Sequence, residues 1–261
     1  MNTPAVHFGL DMDCQGYAVV PGYIEEELLD RLRMDLEYWI NRSDETRRRN
    51  GLGESMRGTA HHILGREDSI FELFCRLPLD EELRNHFDGP YILNSFSGLM
   101  HMEGLATDYM HVQKFHRDVR TYAGDFRLMV NMLVMLDDFT IENGATRILS
   151  GSHRIPGRPP EDYLQLKSSF ITGKAGTIVL FNSNLWHSAS FNQNGEPRRA
   201  LTMNYTRPLM KQQIDFPRLV GDIVSDDPRV REVLGFRSRV PADHNQWYQS
   251  NENRFYYSDQ G

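Results

Sequence analysis

Two periodicities divide this chain. Between residues 24 and 42, Leu28, Leu32, Leu36 and the pair Trp39/Ile40 recur at helical spacing and form one apolar stripe. Glu25, Glu26 and Glu27 stand at its start, where the helix dipole favours negative charge. Ahead of it, "GYAVV" (16–20) reads as a short strand closed by Pro21-Gly22. Residues 43–68 are polar, glycine-punctuated and without period, which predicts a mobile loop that closes over a binding site. A second helical stretch covers about 69–87, interrupted at Pro78. From about residue 91 the texture changes to short β-rich runs: "YILNSF", "YMHVQKFH", "RLMVNMLVML", "TRILSG", "GTIVLFN" and "RALTMNYT". Strands spaced this closely by Gly, Asn, Asp and Pro predict a sandwich or barrel. "NQNGEP" (192–197) carries an Asn-Gly hairpin signal.

The tail from 208 is aromatic, charge-balanced and partly helical, as a cover over a β-core would be. With no repeat, low-complexity tract or linker, the pattern predicts a single domain over 1–261. It comprises helical support to about 90, a β-core over about 91–207, and the cover over 208–261.

Composition narrows the function classes. An apolar fraction of 39% and a charged fraction of 25% describe an ordinary globular protein. A net charge of −7 argues against nucleic acid as a partner, which needs a concentrated basic face. Cys14 and Cys75 are the two cysteines, and neither has Cys or His neighbours at zinc-site spacing, so a reducing compartment is expected. Asp11 and Asp13 interrupt an N-terminus that lacks the pattern of a signal peptide. The most apolar run, 128–136, falls far short of the ~20 residues that span a bilayer. These features predict a cytoplasmic protein whose partner is a small-molecule substrate rather than a membrane or nucleic acid.

Candidate chemistry starts with His116 and Asp118 in "QKFHRDVRTY". On a strand, alternate side chains share a face, so the two can point together into a barrel. Iron(II) in an oxygenase takes two imidazoles and one carboxylate on one face of an octahedron. The third ligand must come from elsewhere, and His153 and His187 are the candidates. His187 is favoured because it ends an apolar strand, and the hairpin signal after it predicts an antiparallel return beside it. That return begins at Arg198, whose guanidinium can bind a carboxylate bidentately near the metal. His153 lies in a Gly-Ser turn with no such partner and reads as a turn-stabilising residue. A second His-x-acid pair, His101 and Glu103, reads as surface.

The series "HRD" (116–118), "LDDFTIENGATRILSGSHR" (136–154), His187 and Arg198 resembles the phytanoyl-CoA dioxygenase family. The resemblance runs from about Gly16 to Pro208 and is specific over 113–206. It implies a mainly β fold with flanking helices, built on a double-stranded β-helix of the jelly-roll, cupin-like kind. It also implies Fe(II) on His116, Asp118 and His187, with 2-oxoglutarate as cosubstrate and O2 as oxidant. In that family the arginine that binds the distal carboxylate of 2-oxoglutarate lies eleven residues after the second histidine, as Arg198 does here. The implied reaction oxidises an unactivated C–H bond, by hydroxylation or by ring closure or desaturation, and releases succinate and CO2. Halogenation is disfavoured because Asp118 is present, whereas such halogenases lack the carboxylate. Many relatives carry a serine two residues after the second histidine, and here that position is Ala189; Ser188, Ser190 or Thr202 could take over its contact with the cosubstrate.

Other residues have assigned expectations. Asn131 interrupts an apolar strand, and its buried amide wants partners, with the cosubstrate as a candidate. Arg199 points to the opposite face from Arg198 and reads as structural. Arg57, His61 and His62 on the 43–68 segment are expected to face the substrate, while Arg47, Arg48 and Arg49 read as a solvated run. The substrate expected is a small polar metabolite, sugar-like or amino-acid-like. Two other classes compete: a cupin-type isomerase or hydrolase with the same three ligands but no use for Arg198, and a non-catalytic binding barrel that needs none of the four.

Overall fold

The computed structural model describes residues 7–52, 56–102, 114–223 and 225–254. A helix α1 (Phe8–Cys14) and strand β1 (Tyr17–Val20) precede the long helix α2 (Glu26–Arg49), then come β2 (Thr59–His61), α3 (Ser69–Cys75) and α4 (Asp80–Phe87). The strands β3 (Ile92–His101), β4 (Met129–Met135) and β5 (Thr146–Ile148) follow. Helix α5 (Glu161–Lys167) leads into β6 (Ser169–Ile171), β7 (Ile178–Asn182), β8 (His187–Ser188) and β9 (Arg198–Thr206). Three short helices close the described chain: α6 (Phe216–Val220), α7 (Pro228–Val233) and α8 (His244–Trp247). No helix among the described residues is long and apolar enough to cross a membrane.

The strands form two antiparallel sheets, one in the order β1-β7-β4-β9-β3-β2 and a smaller one in the order β6-β5-β8. Every residue of β4 is buried, because both faces of the large sheet are covered. Met132, Val134, Leu180, Leu201 and Met203 face outward onto the stripe Leu28, Leu32, Leu36 and Ile40 of α2. Leu133, Met135, Val179, Phe181 and Ala200 face inward against Phe139, Ala145, Ile148 and Ile171 around the small sheet. This is the jelly-roll layout of mostly antiparallel sheet with helices on one face.

Two expectations need correction. Helix α2 does not stop near 42 but continues to Arg49, because its polar last turns supply their own ion pairs, Arg42–Glu45 and Arg47–Asp44. The 43–68 segment is therefore not one long loop. Arg47 reaches back to the carbonyl of Thr59 at 3.0 Å, β2 pairs along β3, and Ala60, Ile63 and Leu64 are fully buried. Most of the segment is helix and paired strand against the large sheet; residues 53–55 lie outside the described residues.

The second correction concerns "NQNGEP". Its turn forms, with Gly195 at φ +74° and Asn192 accepting from the Gly195 N–H, but it does not join paired strands. β8 hydrogen-bonds to β5 in the small sheet, and β9 runs between β4 and β3 in the large one. The connection crosses from one layer to the other. Burial decides this: Leu201, Met203 and Tyr205 enter the core on one face while Arg198, Ala200 and Thr206 are buried on the other, so β9 needs the interior of a large sheet.

Candidate functional site

The space between the layers holds a cavity of about 320 Å³. Alternation along β9 turns Arg198, Ala200, Thr202 and Asn204 into it, and β4 contributes Asn131 and Leu133. The small sheet supplies the other side. Its edge is extended by a bridge between His116 and His187, whose backbones exchange hydrogen bonds of 2.9 and 3.0 Å. This bridge is the described remnant of the strand expected over "YMHVQKFH", of which 109–113 lie outside the described residues.

His116, Asp118 and His187 each offer a ligand atom within 4.8 Å of the others, the one such group among the described residues. The His187 Nε2 stands 3.6 Å from Asp118 Oδ1, and the two imidazole centroids are 4.4 Å apart. Each ring is oriented through its other nitrogen: His116 Nδ1 lies 3.0 Å from the Lys114 carbonyl, and His187 Nδ1 lies 3.0 Å from that of Leu185. A carbonyl at Nδ1 fixes the tautomer with the proton there and leaves Nε2 as the donor atom. Burial and the neighbouring His187 push the His116 imidazole down to about 4, so it is neutral near pH 7, as a metal ligand must be. The amide nitrogen of Asn131 donates to Asp118 Oδ2 at 3.1 Å, which leaves Oδ1 for a metal. Two neutral imidazoles and a carboxylate on one face fit a divalent transition ion with open positions opposite.

Arg198 is the largest fully buried side chain, yet its guanidinium has no carboxylate partner among the described residues and its Nε has no acceptor. It lies 4.4 Å above the Phe139 ring, and burial pushes its ionisation down to about 10. It stays cationic at neutral pH. A buried, unpaired cation at the end of a cavity is a prepared seat for an anion. Its neighbour Arg199 faces the other side of the sheet and is satisfied by Asp137 and Glu37.

The remaining candidates divide. His61 lines the cavity, with Nδ1 hydrogen-bonded to Ser97 Oγ at 2.9 Å, and Thr202 lines it as well. His62 does not: at φ +56° its ring turns away to pack edge-on against Phe216 at 6.0 Å. Arg57 is exposed outside the cavity lining. Ser190 and Ser188 do not line it either; Ala189 between them does, and Ser190 offers its backbone carbonyl to His101 at 2.9 Å. Asn131 donates to the Asp118 carboxylate, which makes it a holder of Asp118 before it is anything to a cosubstrate. His153 sits in its turn, 3.3 Å from the Asp13 carbonyl and apart from the ligand group.

His101 was expected on the surface but is 5% exposed, lies directly opposite Arg198 in the β3–β9 register, and lines the cavity. Its parity with Ser97 and Leu99 on one strand was the available signal. Phe139, beneath Arg198, had none. Glu103 and the aromatic residues 255–257 fall outside the described residues.

Residues 12–200 match the family model described as phytanoyl-CoA dioxygenase. An uncharacterised protein of Mycobacterium tuberculosis (strain H37Rv) is 30% identical over 262 aligned positions, covering 96% of this chain and 93% of that protein. Among solved structures, EctD from S. alaskensis with 2-oxoglutarate and 5-hydroxyectoine superposes with a TM-score of 0.61 at 18% identity, covering 77% of this chain and 76% of its own. HygX from Streptomyces hygroscopicus with nickel and 2-oxoglutarate bound gives 0.58 at 17%, covering 84% and 95%.

Proposed function

Since the chain belongs to the phytanoyl-CoA dioxygenase family, we propose that it uses iron(II), 2-oxoglutarate and dioxygen to oxidise an unactivated C–H bond of a small polar metabolite. The observation that carries this reading is Arg198, a buried cation without a counter-charge among the described residues, at the end of the cavity that also holds His116, Asp118 and His187. A cupin-type isomerase or hydrolase has use for the three ligands and none for that cation. When bound, the metal and cosubstrate would supply the oxidising chemistry: 2-oxoglutarate and O2 become succinate and CO2 with one oxygen atom in succinate, and the other ends in the hydroxylated substrate, or in water where the substrate gives up two hydrogens.

The chain's own residues bind, orient and exclude. His116, Asp118 and His187 would hold the metal, with their orientation set by the Lys114 and Leu185 carbonyls and the Asn131 amide. Arg198 would neutralise the distal carboxylate of 2-oxoglutarate, and Thr202 is the one hydroxyl among the three replacements for the serine absent at Ala189 that lines the cavity. Leu133, Phe181 and Ala200 keep water from the space between anchor and metal. His61 and Ser97, hydrogen-bonded to each other on adjacent strands, would read a polar group of the substrate.

Hydroxylation is the default outcome, with ring closure or desaturation open to the same site. A polar metabolite is supported by those groups and by the 5-hydroxyectoine bound in EctD. The test is anaerobic: iron(II)-loaded protein given 2-oxoglutarate should develop a weak visible charge-transfer band. Absence of the band sinks the proposal, and a mass-spectrometric screen that pairs succinate release with a product 16 mass units heavier or 2 lighter then identifies the substrate.

A further inference from the structure

Between His116 and Asp118 stands Arg117, only 5% exposed and without a carboxylate partner among the described residues. Its two terminal nitrogens donate to backbone carbonyls of one turn, Pro156 at 3.1 Å, Ser152 at 3.4 Å, and Ile155, while its buried Nε has no acceptor among the described residues. Its guanidinium lies 4.7 Å from the Trp186 ring centre and 5.6 Å from that of Tyr122. Trp186 immediately precedes His187. The backbone of Trp186 is tied to the same turn, its N–H donating to Ser152 Oγ at 2.9 Å and its carbonyl accepting from Leu149 at 2.9 Å.

We propose that Arg117 is a further positioning residue of the metal centre, clamping the loop of His116 and Asp118 to the segment that delivers His187. This rests on reading the three residues as a metal site. One planar group with five donors reaches three carbonyls and still presents its face to two aromatic rings, which an ammonium cannot do. A role in stability alone would show in the melting temperature, through carbonyls left without a donor, and would leave the affinity and bands of a bound metal as they are. Alternation directs the guanidinium away from the face shared by His116 and Asp118. Position and charge therefore predict opposite signs. Removing a nearby positive charge should tighten binding of a divalent cation, whereas releasing the clamp should weaken it.

The experiment titrates metal-free full-length protein with Co2+ and follows both affinity and the visible bands of the bound ion. Arg117→Met should bind Co2+ about 10–100-fold more weakly with altered bands, at a temperature well below the melting point of both metal-free proteins. Arg117→Lys should recover part of the affinity. Unchanged or tighter binding by Arg117→Met overturns the proposal. Should that variant fail to fold, Trp186→Phe carries the test, since it shrinks the stacking surface and leaves the carbonyl bonds; a several-fold loss supports the clamp and equal affinity overturns it. His187→Ala keeps the two readings apart: if it binds as tightly as wild type, the metal site itself is wrong and the clamp falls with it.

Discussion

Replacing Arg198 by Met should separate function from stability in one variant. The guanidinium is wholly buried with no counter-ion among the described residues, and burial lowers its ionisation from 12.5 to about 10. That displacement corresponds to a folded-state penalty on the order of 3 kcal/mol for the charged form. The group stays charged at pH 7 in both folded and unfolded chains, so the penalty is present across the physiological range. Met fills a similar volume over Phe139 without the charge, and it relieves the penalty while losing the cation–π contact, worth about 1–2 kcal/mol. Metal-free Arg198→Met should therefore melt at or above the wild-type temperature. Its affinity for 2-oxoglutarate should fall in the opposite sense. Removing one partner of a buried, hydrogen-bonded charge pair costs about 2–5 kcal/mol, or roughly 30- to 4,000-fold in affinity. The assay is calorimetric titration of 2-oxoglutarate into nickel-loaded protein without oxygen, beside thermal unfolding of the metal-free form. Unaltered 2-oxoglutarate affinity refutes the assignment. A fall in melting temperature as large as that of a core cavity refutes the account of Arg198 as a residue kept at a cost to stability.

Two further outcomes follow from the fold. Gly176 sits at φ +83°, and a Cβ there would lie 2.4 Å from the Ile24 carbonyl, where the Tyr23 and Ile24 N–H groups also bond to the Gly176 carbonyl. Gly176→Ala should cost about 3 kcal/mol and several degrees of melting temperature, and a midpoint within a degree of wild type would disprove the tight approach. His86, His101 and His116 are each pushed down to about 4, chiefly by burial. Between pH 6.5 and 4 the unfolded chain therefore binds protons that the folded chain does not. Metal-free stability should fall with pH in that window, by up to about 1.4 kcal/mol per pH unit for each histidine, and the histidine contribution is complete below it. Denaturant titrations at half-unit steps would show this, and a flat profile from 6.5 to 4.5 would contradict it.

What was legible in the sequence was local. Helical spacing marked the stripe of α2, strand alternation put His116 and Asp118 on one face, and the same alternation parted Arg198 from Arg199. The apolar runs of β4 and β7 announced buried strands, and the order of ligands and arginine pointed to the family. Such features depend on side-chain direction over a few residues, which the backbone fixes by itself. Long-range pairing is not of that kind. The stretch after His187 looked like a hairpin, yet β9 gains more by entering the large sheet between β4 and β3, so Arg198 reaches the cavity from the opposite layer. The polar segment 43–68 looked like a lid, but Arg47 on Thr59 and the β2–β3 register hold most of it against the large sheet. His61 and His62 were equivalent in sequence until that register turned one into the cavity and the positive φ of the other sent it to Phe216. Likewise Ala189 rather than either flanking serine meets the cavity, and His101, a surface residue by composition, is buried opposite Arg198. Each of these was decided by which strands pair and in what register. That choice minimises exposed apolar area over the whole chain, and no short stretch encodes it alone.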